Sequence, residues 1–178
     1  MSQSARSWPA RLVRLLKHRW WDESDARRVL PEPALDRIQA RVAESERHHS
    51  GEIRVCVEAS LPLSYLWRDA SARERAVAMF GKLRVWDTEA NNGVLIYLLL
   101  AEHAIELVVD RGLARHVDPA QWRSLVVSLG DALRAGRFEQ GLLQTVDEVD
   151  RLLSTHFPLD GRAREANPNE LPDRPHVQ

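Results

Sequence analysis

Along this chain the spacing of hydrophobic positions switches repeatedly between helical period and strand alternation, and the order of the switches predicts the fold. Leu35, Ile38 and Val42 recur at helical spacing within 32–49, which runs into Ser50-Gly51. Ile53, Val55 and Val57 then alternate with Glu52, Arg54, Cys56 and Glu58, predicting a strand with one apolar and one mixed face. Ser71 to Glu74 has the form of a capping box, and Ala76, Val77, Phe80 and Leu83 continue it as an amphipathic helix. Residues 94–100 are uninterrupted apolar, the pattern of a strand buried on both faces at the centre of a sheet. After Ala101-Glu102-His103, Ile105, Leu107 and Val109 alternate again, and so short a link predicts an antiparallel hairpin. Asp118-Pro119 supplies an N-cap and a proline at the first helical position, with Gln121 placed to complete a capping box. Trp122, Leu125, Val126, Leu129 and Leu133 form that helix's stripe, with Gly136 as its terminator. Phe138, Leu142, Val146, Val149 and Leu153 repeat the pattern up to Pro158.

This order predicts an α/β protein: a small mixed β-sheet, made of a βαβ unit plus an antiparallel hairpin, sandwiched by helices as α/β/α. Three regions follow: a basic, tryptophan-rich amphipathic leader over 1–30, the α/β/α domain over 31–158, and a tail over 159–178. The tail is polar, carries Pro168, Pro172 and Pro175, and is expected to be disordered.

The topology has a consequence for polar residues. Strands one and two run parallel and strand three returns beside them. The segment Ser50-Gly51-Glu52, the loop 87–92 and the exit Asp110-Arg111-Gly112 therefore share one edge of the sheet. Glu52, Asp87, Asn91, Asn92 and Asp110 bring carboxylate and amide oxygens to that edge, the ligand chemistry of calcium or magnesium. With Arg111 or His116 beside a bound metal, the same edge has the parts for hydrolysis. The competing reading is structural: Asn, Asp and Gly before a strand are what a turn requires. Ligands of open parallel sheets also sit at the opposite edge.

Composition narrows the classes. A chain of 178 residues with 44% hydrophobic and 29% charged residues has the make-up of a globular domain, and a formal charge of -1 argues against a nucleic-acid partner. The lone Cys56 cannot form an internal disulfide, and no apolar run approaches membrane-spanning length, so a cytoplasmic location is expected. Within the leader, Trp8, Leu12, Leu15 and Leu16 share one helical face, with Arg11, Arg14, Lys17, Trp20 and Trp21 around it. Such a helix either lies on an anionic membrane surface or docks on the domain with its charges solvated. Residues 61–67, with Tyr65 and Trp67, read as a loop packed over the core or as an apolar patch for a partner.

The segments SGEIRVCVEA (50–59), WDTEANNGVLIYLLL (86–100), AIELVVDRGL (104–113), PAQWRSLV (119–126) and FEQGLLQTVDEVDRLLSTHFP (138–158) resemble the TPM domain family over about residues 35–158. The resemblance implies an α/β/α sandwich of the short bacterial kind without a signal peptide. Two functions follow as expectations. One, motivated by the missing catalytic motif, the basic tryptophan-rich leader and the apolar stretch 61–67, is a non-catalytic interaction module of this family acting near the inner face of a membrane with a protein partner. The other, an alternative suggested by the plant branch, is a divalent-metal-dependent, acid-phosphatase-like hydrolase, with Glu52, Asp87, Asn91, Asn92 and Asp110 at the matching positions for calcium or magnesium. Membrane or partner contact would fall on Trp8, Arg11, Arg14, Lys17, Trp20, Trp21, Tyr65 and Trp67.

Overall fold

β2 (Val94–Leu99) is buried at every position, so both faces of the sheet around it must be covered. The computed structural model describes residues 8–159 and 171–178. In it β2 pairs in parallel with β1 (Ile53–Glu58), Ile53 opposite Val94, and antiparallel with β3 (Ala104–Val109), Val94 opposite Val109. A further strand, β4 (His176–Val177), pairs in parallel with β1, giving the order β3-β2-β1-β4.

Alternation along the strands sorts their side chains into two cores. Ile53, Val55 and Val57 of β1, with Val94, Ile96 and Leu98 of β2, face α2 (Glu23–Val29), α3 (Glu32–Ser45), α7 (Pro119–Arg134) and α8 (Phe138–His156). Cys56, Leu95, Tyr97 and Leu99 face α4 (Leu63–Trp67) and α5 (Ala72–Lys82) on the other side, where α1 (Trp8–Arg19) contributes Leu15. A short α6 (Arg111–Ala114) follows β3. The mixed sheet lies between two helical layers, as the alternation of periods predicts.

Local signals act where they were read. The Ser71 side chain accepts from Glu74 N at 3.1 Å while the Glu74 carboxylate accepts from Ser71 N at 2.7 Å, closing the capping box of α5. Asp118 caps α7 through Ala120 N at 2.7 Å, without the reciprocal bond expected of Gln121. Gly136 follows α7 at φ 73°, the left-handed conformation that suits glycine.

Three expectations are corrected. Residues 61–67 are not a loop; Leu63–Trp67 form the helical turn α4. The leader does not extend to residue 30, because Ala26 and Leu30 are fully buried in the first core. α2 is fastened at its start by a reciprocal cap between Asp22 and Asp25. The tail is not disordered over 171–178, while 160–170 lie outside the described residues. Leu171 is buried, and β4 covers the edge that β1 would otherwise leave unpaired. Side chains hold the segment in place: Arg174 pairs with Asp36 at 2.7 Å and with Glu32, and Gln178 Nε2 donates to Glu58.

The mixed face of β1 explains that last contact. Glu58 is 1% exposed, and a buried carboxylate must be met by donors. Arg75 Nε and Nη2 donate to it at 2.8 and 2.5 Å, and Tyr97 Oη at 2.5 Å. Arg75→Met, which leaves Glu58 buried without its cation, is expected to lower unfolding stability by about 3–5 kcal/mol. The double variant Glu58→Leu/Arg75→Met should recover part of that loss. Urea midpoints measure both, and a double variant no more stable than Arg75→Met would refute the pair as the source of the effect.

Candidate functional site

The edge at which β1 and β2 begin holds the residues expected to gather there, and their partners divide them. Asn92 is fully buried, with its Nδ2 donating to Ser50 Oγ at 3.2 Å. Asn91 adopts the left-handed conformation at φ 52°; its side-chain oxygen accepts from Arg111 Nη2 at 3.0 Å and its carbonyl from Gly112 N at 2.8 Å. A Cβ on Gly112 would come within 2.4 Å of the Ala90 and Asn91 carbonyls, so only glycine allows this approach. Asp87 points elsewhere and pairs with Arg84 at 2.5 Å on the surface. Asp110 caps α6 by accepting from Arg111 N at 2.6 Å. His116 stacks on His156 at 5.3 Å and stands edge-on to Phe157 at 5.9 Å, and the Phe157 carbonyl accepts from Ser50 N at 3.0 Å.

Glu52 meets a residue that periodicity did not single out. Its side chain hydrogen-bonds Glu46, which lies just past α3 and also accepts from Ile53 N at 3.1 Å. Burial, reinforced by the charge of Glu52, pushes the Glu46 carboxyl up to about 9, so Glu46 carries its proton at neutral pH. Nearby His49 is fully buried, and burial pushes its imidazole down to about 4 against the pull of Asp150. The signal for this cluster was the Glu52-Arg54-Glu58 alternation itself: charged residues on a buried strand face require partners.

A divalent ion of the kind the resemblance implies takes about six or more oxygen ligands. Asp110 Oδ2 and Asn92 Oδ1 are buried without a hydrogen-bond partner among the described residues, which is ligand chemistry from two adjoining segments. Asp87 and Glu52 are turned to Arg84 and Glu46, however, and among the described residues no group of three or more His, Cys, Asp or Glu is set to hold an ion. The five residues do not assemble as one centre, and no catalytic step is derived through a metal.

The second candidate surface is α1. Arg14 is buried, donating to Glu102 at 2.5 Å, Asp69 at 3.0 Å and Ala70 O at 2.6 Å. One turn on, His18 Nδ1 accepts from Leu61 N at 3.0 Å, which places the ring proton on Nε2, 2.9 Å from Glu102. Burial opposes the Glu102 charge, but the bonds from His18 and Arg14 outweigh it and hold that carboxyl at about 2. Arg11 reaches Trp67 O at 2.6 Å. α1 therefore docks by its polar side, with its apolar side outward: Trp8, Leu12, Val13 and Leu16 are exposed, and Trp20 is 82% exposed. The expectation of a docked helix with solvated charges is met at Lys17 and Arg19 but not at Arg14, whose burial removes it from any contact surface.

The neighbouring α4, whose Trp67 carbonyl Arg11 reaches, exposes Leu63 and Trp67, and Lys17, Arg19 and Arg68 are exposed as well. Tyr65 is half-buried beneath two guanidinium groups, Arg68 at 4.3 Å and Arg75 at 4.9 Å from its ring centroid. Trp21 leaves the outward surface and stands edge-on to His103 at 6.3 Å.

Fold and sites together define a small α/β/α domain with a mixed sheet, buried charges on one strand and an added amphipathic helix. The TPM domain matches residues 24–152, and the chain belongs to that family. The fold resembles the NMR structure of the BA42 protein from the psychrophilic bacterium Bizionia argentinensis, with a TM-score of 0.71 and 24% identity over 83% of this chain and 94% of that one. No curated protein matches. α1 and β4 lie outside the matched family segment.

The Glu46 proton makes stability depend on pH. A carboxyl raised from 4.5 to about 9 keeps its contribution below pH 4.5 and loses it as pH rises towards 9. Glu46→Gln supplies the same acceptor to Ile53 N and a donor to Glu52 without a titrating proton. The variant is expected to be more stable than wild type at pH 8, by on the order of 1–3 kcal/mol, and equal to it near pH 4. Urea unfolding at the two pH values measures the difference; a gain of the same size at both would refute the assignment.

Proposed function

We propose that this TPM-domain protein is a non-catalytic interaction module that seats its α1–α4 face on an anionic membrane surface and there meets a protein partner. The observation that carries this reading is the inverted docking of α1. Polar bonds to Glu102 hold the helix, so its apolar side is left over: Trp20 is 82% exposed and Val13 and Leu16 are exposed, while the neighbouring α4 exposes Leu63 and, at 78%, Trp67. Isolated exposed apolar side chains need no explanation, but a group of them on two adjacent helices does. Tryptophan and leucine flanked by Lys17, Arg19 and Arg68 match an interface of headgroup phosphates above acyl chains. Among the described residues no helix is long and apolar enough to cross a membrane, so the contact proposed is peripheral.

Co-sedimentation with phosphatidylglycerol-rich and neutral vesicles tests the reading, with sedimentation velocity run in parallel. Wild type is expected to bind the anionic vesicles preferentially and to be monomeric without them. Leu16→Glu, on the outward side of α1, should lower partitioning about tenfold or more while leaving the circular dichroism spectrum unchanged. Equal partitioning of wild type and Leu16→Glu would overturn the membrane reading. A wild-type dimer that Leu16→Glu converts to monomer would overturn it in favour of self-association.

A further inference from the structure

An apolar cavity of about 580 Å³ lies beside the C-terminal end of β2, between the sheet and α7. Its volume falls within the range of small-molecule sites, and it occupies the sheet edge at which open α/β folds bind ligands. Gly130 explains why it is open. Glycine in the interior of a 16-residue helix is unfavourable, and this one is buried. A Cβ there would meet Ile105 Cδ1 at 3.6 Å and Arg134 Nη2 at 3.3 Å, so the absent side chain is what leaves room above the floor.

The polar side chains are few. Among the described residues that line the cavity none is a carboxylate, and the polar ones are Arg134 and His103. Arg134 Nη1 bonds Asp131 on the exposed side of α7, a pair of the weak surface kind. Nη2, the nitrogen beside Gly130, makes no hydrogen bond among the described residues. His103 sits in a left-handed turn with its ring edge-on to Trp21, so the two form one wall.

We propose that this cavity binds a medium-chain aliphatic carboxylate. The chain lies among Trp21, Leu98, Ile105, Val126 and Phe138, and the carboxylate meets Arg134. A carboxylate can meet Arg134 Nη2 while Nη1 stays with Asp131, whereas a compact anion would leave the apolar walls wet. The site is separate from the α1–α4 face and does not depend on the membrane reading.

Isothermal titration of the full chain with hexanoate, octanoate and decanoate, below their micelle concentrations, tests it. Affinity is expected to rise roughly fourfold per added methylene. Decanol should bind about tenfold more weakly than decanoate, and Arg134→Gln should close that gap. Gly130→Leu fills the floor; with a native spectrum and a Tm equal to or above wild type, it should bind decanoate at least about tenfold more weakly while partitioning onto vesicles like wild type. Val126→Trp, on the wall, provides a second filled variant should Gly130→Leu fail to fold. No decanoate binding by wild type, undiminished binding by a folded filled variant, or equal affinity for decanoate and decanol would each overturn the proposal.

Discussion

A buried carboxylate on β1 ties a helix, the central strand and the C-terminal segment to one point of the sheet. Glu58 is 1% exposed, and its donors come from three places: Arg75 on α5, Tyr97 on β2 and Gln178 beyond β4. Burial pushes the Tyr97 hydroxyl and the Cys56 thiol upward, so both stay neutral beside it and the Glu58–Arg75 pair carries the local charge. A salt bridge in such a place is weak evidence for stability by itself. Its effect here is positional: it fixes the register of α5 on the sheet and gives residues 171–178 a polar anchor beside the open edge of β1.

That anchor shows why some of the fold was legible and some was not. Strands with four or more apolar positions, and helices with full stripes, declare themselves by period, and β1 to β3, α5, α7 and α8 were read that way. β4 has two residues and α2 seven, too few to show a period. They are held instead by Arg174 and Gln178 meeting acids far along the chain, and by Ala26 and Leu30 entering a core built by other elements. Proline and charge in 171–178 suggested disorder because composition reports what a segment can bury, not which ion pairs await it.

The candidate site divides along the same line. Topology correctly brought Ser50, Asn92 and Asp110 to one edge: Asn92 bonds Ser50, and Asp110 N donates to the Gly93 carbonyl at 2.9 Å. Backbone connectivity alone implies that much. The direction of each carboxylate depends on its nearest donor, and those donors sit outside the strand pattern. Glu46 follows the end of α3, and Arg84 lies past α5 in a left-handed turn. The turn reading of 87–92 is thereby realised in its backbone, while the carboxylates that a metal centre would share are drawn to separate partners.

α1 carries the same logic to the surface. Its amphipathic pattern was plain, yet pattern does not say which side faces the domain. The hydrophobic effect has no direction, whereas Arg14 and His18 require particular acceptors, and Glu102 at the hairpin end supplies one for both. Because Glu102 is held at about 2, that junction keeps its charge throughout the neutral range. Two adjacent tryptophans follow the helix and then part: Trp20 is exposed, and Trp21 walls the cavity beside β2. Polar docking of one helix thus produces both an unpartnered apolar face and one wall of an internal site. Neither follows from amphipathicity without knowing where Glu102 lies.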